Sequence, residues 1–410
     1  MSTAYDDLKA RDQRAVMNTY GRYPLAFASG KGCRLYDLDG KEYVDLLAGI
    51  AVSTLGHGNE ELAEAMAEQA RILTHVSNLY LTEPMVELAE RLTATFGGGK
   101  AFFCNSGAEA NEAAIKLARR HAQRVRNTDA CEIVTLSGSF HGRTLATLTA
   151  TGQEHVKDGF DPLPEGFVTV PLGDVAALEA AVGPKTAGVL IEIVQGEGGV
   201  NPLSRDYVAA VARVCKESGA LCMVDEVQTG LCRTGKFWAF EHFADILSPD
   251  VVTTAKPLAG GLPMGAMLAT DKAARGFQPG SHATTFGGGP VLAAVACKVL
   301  EIMERDQLAQ RAARMGATAL ELFRGIKDSH PGRVADVRGL GLMLAIELTD
   351  DDPELGKNVF NALTQAGFLT NLAKGRILRL LPPLVIEESD LKAFAEALDG
   401  ILSEIKANNS

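Results

Sequence analysis

The sequence predicts an α/β protein: a large domain with a mostly parallel sheet flanked by helices, plus a smaller α+β domain built from both chain ends. Three observations lead there. Through the middle of the chain, short apolar runs alternate with amphipathic stretches of helical period, which is how strand–helix–strand units read. The apolar runs are continuous rather than alternating, as in strands covered on both faces. After about Pro290 the pattern changes to long helical stretches separated by a few strands.

The elements follow in order. The first fifty-odd residues are turn-rich, and 35–41 read as a hairpin around Asp39-Gly40 that packs with the C-terminal unit. Strands are expected at 101–104, 132–136, 167–170, 188–193, 221–225, 250–253 and 265–269, with helices at 108–126, 174–182 and 205–218 between them. A helical stretch over 291–324 then leads to strands at 341–348 and 376–381 and helices at 353–365 and 388–406. The 410 residues thus divide into an N-terminal segment (1–55) associated with the small domain, a large domain (56–290) and a small domain (291–410). No internal repeat or low-complexity tract interrupts them.

Composition narrows the function. The chain is 46% apolar and 22% charged, with a net charge of −11. An acidic surface disfavours nucleic acid and anionic membranes as partners, and no basic cluster interleaved with aromatics offsets it. The N-terminal run lacks the apolar core of a signal peptide, and no apolar stretch reaches membrane-spanning length. Seven scattered cysteines without a CxxC read as reduced thiols of a cytoplasmic protein. Eight histidines show no metal-ligand spacing, so no metal is expected.

The chemistry begins with Asp225 and Lys256. Asp225 ends the apolar run 221–224, and Lys256 interrupts a second run over 251–261. Each segment delivers a charged group to the carboxyl edge of the sheet, where ligands of open α/β sheets bind. Capping by Asp225 and a surface position for Lys256 are the ordinary readings. Against them, the neighbours of Lys256 are apolar or small and Pro257 fixes the backbone, so desolvation would lower its pKa and free the amine. An amine and a carboxylate meeting there are what pyridoxal phosphate needs: one bonds the aldehyde, the other keeps the pyridine nitrogen protonated.

Other loops fall at the same edge. Asn105-Ser106-Gly107-Ala108-Glu109 follows a strand and opens a helix. Ser106 and Glu109 have capping-box spacing, and Gly107 lets first-turn N–H groups approach a phosphate. Ser139-Phe140-His141-Gly142-Arg143 brings an aromatic ring able to stack on a heterocycle and an arginine able to grip a carboxylate. Taken singly, Phe140 would be core and Arg143 solvated. The run 192–199 sets Glu192, Gln195 and Glu197 on a glycine-rich loop after a buried strand, which argues for a cleft. Thr284 and Thr285 precede Phe286-Gly287-Gly288-Gly289-Pro290, a setting suited to phosphate. Arg379 stands in an apolar strand and needs an acidic partner or an anionic ligand.

Together these segments resemble the class III aminotransferases of pyridoxal phosphate fold type I, from about Met17 to the Pro-Pro at 382–383. The specific runs are Ser-Gly-Ala-Glu-Ala-Asn at 106–111, Phe-His-Gly-Arg at 140–143, Asp-Glu-Val-Gln-Thr-Gly at 225–230, and Lys256, all in the same order. The resemblance implies that Lys256 is the Schiff-base lysine and Asp225 the partner of the pyridine nitrogen. It implies stacking by Phe140, with Val227 on the opposite face and Gln228 near the phenolic oxygen. Gly107 and Ala108 would bind phosphate through backbone, and Thr285 would reach the phosphate of the other subunit, which makes the protein a homodimer with shared sites. Two departures stand out: Ile193 replaces the usual proline of the 192–199 loop, and Gly289 replaces the usual asparagine before Pro290.

The activity implied is transamination from a small-molecule amino donor to 2-oxoglutarate, which leaves as glutamate. The expected donor is the δ-amine of N-acetylornithine, with ornithine or succinyl-diaminopimelate as alternatives. Arg143 would hold the distal carboxylate of either substrate, Thr284 would lie beside it, and Arg379 would take the α-carboxylate of glutamate. Glu197 would neutralise Arg379 when the δ-amine donor enters. Ile50 stands where ornithine enzymes of the family resemble one another in having tyrosine, and favours the acetylated donor. A racemase or aminomutase on this fold would turn over without 2-oxoglutarate, and a non-catalytic binding protein would lack the cofactor spectrum. A nicotinamide enzyme is disfavoured, since no GxGxxG opens a βαβ unit.

Overall fold

The computed structural model describes residues 3–405. Its centre is a seven-stranded sheet in the spatial order Lys100–Cys104, Gly265–Ala269, Val251–Thr254, Leu221–Asp225, Thr186–Ile191, Glu132–Leu136, Phe167–Val170. Adjacent strands run parallel except around Gly265–Ala269, which is antiparallel to both neighbours. The exception follows from chain length. The link from Thr254 to Gly265 carries no helix and is too short for the crossover that a parallel neighbour requires. Every residue of 186–191, 221–225, 251–254 and 265–269 is buried, which accounts for their continuous apolar character.

Helices cover the sheet. Gly107–Arg124 presents Ala110, Ala113, Ala114, Leu117 and Ala118, all fully buried, and this small-residue face packs close. The fit is tight at Gly188, where a Cβ would stand 2.8 Å from Met223 Cε and 3.2 Å from Ala118 Cβ. Arg205–Ser218 starts on Ser204, whose Oγ accepts from Tyr207 N, and stops at Gly219 with φ 72°.

Beyond Pro290 the expected single helix is two, Pro290–Arg305 and Leu308–Ser329. Asp306 and Gln307 break it, Gln307 in the left-handed region at φ 51°. The reversal lets both helices face the core, through Ile302 and Met303 on one and Leu308 and Ala312 on the other. The helices lead into a four-stranded antiparallel sheet in the order Val334–Leu340, Met343–Leu348, Ile377–Leu380, Asn371–Ala373. Val334–Leu340 lies outside the expectation because Asp336, Arg338 and Gly339 interrupt its apolar run. Leu355–Gln365 and Glu388–Glu404 are helical; of the expected 388–406, Lys406 lies outside the described residues. The turn-rich reading of the start omits a helix, Thr3–Ala15, which buries no residue and so has no apolar stripe to reveal it. Glu60–Ile72 and Glu83–Thr95 are two further helices absent from the expectation.

A third sheet joins the chain's two ends. Phe27–Lys31, Arg34–Asp37 and Glu42–Asp45 form an antiparallel meander, and Glu42–Asp45 then pairs in parallel with Phe368–Leu369. Just after it, Ala48, Gly49, Ile50 and Ala51 all have positive φ, at 51°, 62°, 64° and 63°. Left-handed backbone costs about 1–2 kcal/mol for each residue carrying a Cβ, so this turn persists only because something holds it. Leu381 N donates to Leu46 O at 2.7 Å and Leu384 N to Thr54 O at 2.7 Å, tying both flanks of the turn to the chain that follows Arg379.

Candidate functional site

A cavity of about 460 Å³ opens at the carboxyl edge of the large sheet, lined by Asp225 and Lys256 from adjoining strand ends. Gly107, Ala108, Phe140, Arg143, Glu197, Val227 and Gln228 also line it. A second, larger cavity of about 870 Å³ contains Thr284 and Thr285. The smaller cavity holds the converging charged groups, so the chemistry belongs there.

Asp225 is the last residue of its strand and 4% exposed. Three donors meet its carboxylate: Asn111 Nδ2 at 2.7 Å and His141 Nδ1 at 2.8 Å on Oδ2, and Val227 N at 3.0 Å on Oδ1. Asn111 is itself fixed, since its Oδ1 accepts from Thr253 Oγ1 at 2.7 Å and its Nδ2 also donates to His141 O at 2.8 Å. The carboxylate is thereby locked in one orientation facing the cavity.

Lys256 lies two residues past Val251–Thr254 and makes no hydrogen bond or ion pair among the described residues. Burial drives its pKa below the ordinary lysine value, and Arg379 pushes the same way, while Asp225, Glu197 and Glu192 oppose the shift. A desolvated amine with no fixed partner is available for carbonyl attack.

The first turn of Gly107–Arg124 points into the same cavity. Ser106 Oγ accepts from Glu109 N at 3.2 Å, as a cap does. The Glu109 carboxylate takes Asn105 N at 2.5 Å and Asn105 Nδ2 at 2.9 Å, so the box closes one residue earlier than the spacing suggested. Gly107 permits close approach: a Cβ there would stand 2.6 Å from Val227 Cγ1. The helix leaves the N–H groups of Gly107 and Ala108 free, with the dipole behind them, as an anion requires.

Glu192 is buried, its Oε2 accepting from Phe140 N at 3.1 Å and its Oε1 from Gly196 N at 3.4 Å. Desolvation raises its pKa to about 7, with Asp225 adding to the rise and His141 opposing it. Ile193, in place of proline, is fully buried, and its carbonyl accepts from Leu203 N at 2.9 Å. Gly289 starts Pro290–Arg305 without a side-chain cap. Arg379 is 1% exposed and donates through Nη1 to Glu197 Oε1 at 2.6 Å. Arg143 is exposed, its guanidinium 5.5 Å from the Phe140 ring centroid.

Thr284 and Thr285 do not line the Lys256 cavity of their own chain. Thr284 touches its rim, since its Oγ1 lies 3.4 Å from Asn105 Nδ2, and Thr285 is exposed. Sequence reasoning gave no role to Asn111 or His141. Asn111 is a buried amide on an alanine-lined helix face, and His141 is a buried ring beside Phe140. Polar groups where the pattern demands apolar ones were the available signal.

The residues fit pyridoxal phosphate by their own unfilled capacity. His141 Nε2 and Gln228 Oε1 are buried without a partner among the described residues and belong to side chains lining the cavity, beside free first-turn N–H groups and a fixed carboxylate; Arg379, whose Nε is also unpartnered, does not line it. Among the described residues no cluster of His, Cys, Asp and Glu could hold a metal ion, and no helix is long and apolar enough to cross a membrane.

Comparison with known proteins gives a consistent picture. Residues 15–402 match the family model of class-III aminotransferases. The chain is 41% identical over 395 residues to an acetylornithine aminotransferase of Methanocaldococcus jannaschii, covering 96% of this chain and 98% of that protein. It is 47% identical over 380 residues to acetylornithine aminotransferase 1 of Bordetella pertussis, covering 92% and 95%. Among solved structures, the ornithine aminotransferase of Toxoplasma gondii superposes with a TM-score of 0.93 at 31% identity, covering 98% of this chain and 96% of that one. Another crystal of that enzyme has partial occupancy of PLP at its active site.

Proposed function

Because this chain belongs to the class-III aminotransferases, we propose that it transfers the δ-amino group of N2-acetyl-L-ornithine to 2-oxoglutarate. The products are N-acetyl-L-glutamate 5-semialdehyde and L-glutamate, and the step belongs to arginine biosynthesis. The observation that carries the reading is identity of 41% and 47% to acetylornithine aminotransferases over nearly the whole chain.

Pyridoxal phosphate, when bound, supplies an aldehyde that accepts the amino group and a ring that withdraws electrons from the carbon losing its proton. In our reading Lys256 would hold the cofactor through its amine, and its Nζ, once free and neutral, would accept and return the proton of the donor's reacting carbon. The lowered pKa of Lys256 suits both tasks, since only the neutral amine attacks or accepts a proton. Asp225, held in place by Asn111 and His141, would accept from the protonated ring nitrogen. Gly107 and Ala108 would hold the phosphate through their N–H groups, Phe140 and Val227 would bracket the ring, and Gln228 would lie near the phenolic oxygen, its side-chain amide able to donate to it.

Arg143 takes the distal carboxylate of either substrate, with Thr284 beside it. Arg379 takes the α-carboxylate of glutamate and is neutralised by Glu197 when the δ-amine donor is bound. We assign a homodimer in which Thr285 reaches the phosphate in the partner's site. Its exposure supports this, as do exposed Leu79 and Tyr80, which line cavities together with Thr285, and the adjoining exposed Leu81 and Phe286. Free cysteines, all buried but Cys131, suit a reducing cytoplasm.

The test is the absorbance of the purified holoenzyme during addition of N-acetylornithine and then 2-oxoglutarate, with kcat/KM for each amine donor. A spectrum that shifts with N-acetylornithine and returns with 2-oxoglutarate supports the reading. A strong preference for free ornithine removes the substrate assignment and keeps the reaction class.

A further inference from the structure

One wall of the catalytic cavity comes from far away in sequence. Among the described residues, Val52 is its only lining residue from the first hundred, the others coming from the large-sheet edge and its loops. Val52 leaves the left-handed turn 48–51, so its direction depends on that turn keeping its hand. Three of the four turn residues carry a Cβ and would relax towards right-handed backbone if released.

The restraint is Asp45, which ends its strand and is 2% exposed. Its Oδ1 accepts from Leu47 N at 2.9 Å and Ala48 N at 2.8 Å, so one oxygen fixes the entry to the turn. Its Oδ2 lies 2.7 Å from His57 Nε2, which fixes the rotation of the carboxylate. His57 is anchored in turn. Its backbone pairs with Gly32 in both directions at 2.8 Å, and its ring lies over Gly30, where a Cβ would come within 2.8 Å of His57 Cβ.

We propose, on the basis of the transaminase reading above, that Asp45 steadied by His57 is a positioning residue for amine-donor selection. The carboxylate keeps the turn left-handed, and the turn sets Val52 against the donor. Since the turn's flanks are bonded to the chain after Arg379, Val52 and the carboxylate-binding arginine keep a fixed spacing. Donor length is thereby measured between two pieces that one buried carboxylate holds in register.

Wild-type turnover of N-acetylornithine and ornithine with 2-oxoglutarate tests the transaminase reading. Variants then test this inference on whichever donor the wild type prefers. In cofactor-loaded D45N, KM for that donor is expected to rise about tenfold, with a smaller change in kcat, and the kcat/KM ratio between the two donors to fall about tenfold. H57Q should move the ratio the same way by less. Adding Ala48→Gly to Asp45→Ala should restore the ratio to within about threefold of wild type, because glycine takes positive φ without steric cost. An unchanged ratio in both D45N and H57Q overturns the proposal. So does a fall in melting temperature or yield with the ratio intact, which is what a merely structural aspartate would give.

Discussion

Arg379 Nη1 and Glu197 Oε1 lie 2.6 Å apart, the arginine side chain 1% exposed and the glutamate side chain 33% exposed. The asymmetry makes the carboxylate the member free to leave. Glu197→Ala should open the cation to any substrate carboxylate. The KM for glutamate is expected to fall about five- to tenfold and that for N-acetylornithine to rise by a similar factor. Steady-state kinetics of both half-reactions decide it: an unchanged ratio of the two KM values would show that Glu197 does not gate Arg379.

In the proposed mechanism Lys256→Ala removes both the cofactor's covalent partner and the proton carrier. Transamination should fall by about 10⁴-fold or more, and the absorbance of the bound cofactor should lose its lysine-linked form. Single-turnover assays with the spectrum recorded alongside test both parts. Residual turnover near wild type would move the chemistry to another group.

His141 lines the cavity, is buried, and meets Asp225 Oδ2 through its Nδ1 at 2.8 Å. His141→Asn should lower kcat about tenfold or more while cofactor remains bound, because Asp225 would lose one of its three fixed donors. A variant that binds less cofactor but keeps kcat per bound cofactor would instead make His141 a packing residue.

Exposed Leu79 and Leu81, each 87% exposed, lie in the segment that precedes Glu83–Thr95. On the homodimer proposed above, Leu81→Asp is expected to shift the protein towards monomer in sedimentation and to weaken cofactor retention in proportion, since Thr285 could then reach no partner site. A dimer of wild-type stability carrying Leu81→Asp would place the interface elsewhere.

Glu226 gives a pH prediction. It is fully buried, its oxygens taking Thr229 Oγ1 and Phe240 N, and burial raises its pKa from 4.5 to about 7. Between those two values the folded protein keeps a proton that the unfolded chain releases. Stability therefore falls as pH climbs through that window and levels off above it, by up to about 3 kcal/mol. Unfolding curves between about pH 5 and about pH 8 should show the slope in wild type and a flatter one in Glu226→Gln. Equal slopes would locate the titration in another group.

The large sheet was legible because its inner strands 186–191, 221–225, 251–254 and 265–269 are buried along their length and therefore write continuous apolar runs. The antiparallel strand Gly265–Ala269 was visible as a strand, but its direction was not: apolar pattern is blind to polarity, and only the short link from Thr254 decides it. Thr3–Ala15 was invisible for the opposite reason, having no buried face. In the site, Asp225, Lys256, Phe140 and Arg379 could be read as misfits or charges at strand ends. Asn111 and His141 could not be assigned, because their value lies in meeting a third residue across the fold. The left-handed turn at 48–51 was equally hidden, since alanine and isoleucine carry no sign of positive φ.

The pairing of Glu42–Asp45 with Phe368–Leu369 sets an order of events during synthesis. The first strand emerges early, yet its parallel neighbour is translated on the order of tens of seconds later. The large sheet and the cavity edge carrying Asp225 and Lys256 can be complete in that interval, while Arg379 has not yet left the ribosome. A nascent chain at that stage would carry Arg143, Asp225 and Lys256 but not yet Arg379, the cation assigned above to the α-carboxylate of glutamate. The α-carboxylate site is thus the last part of this reading to be translated, and premature termination would remove it first.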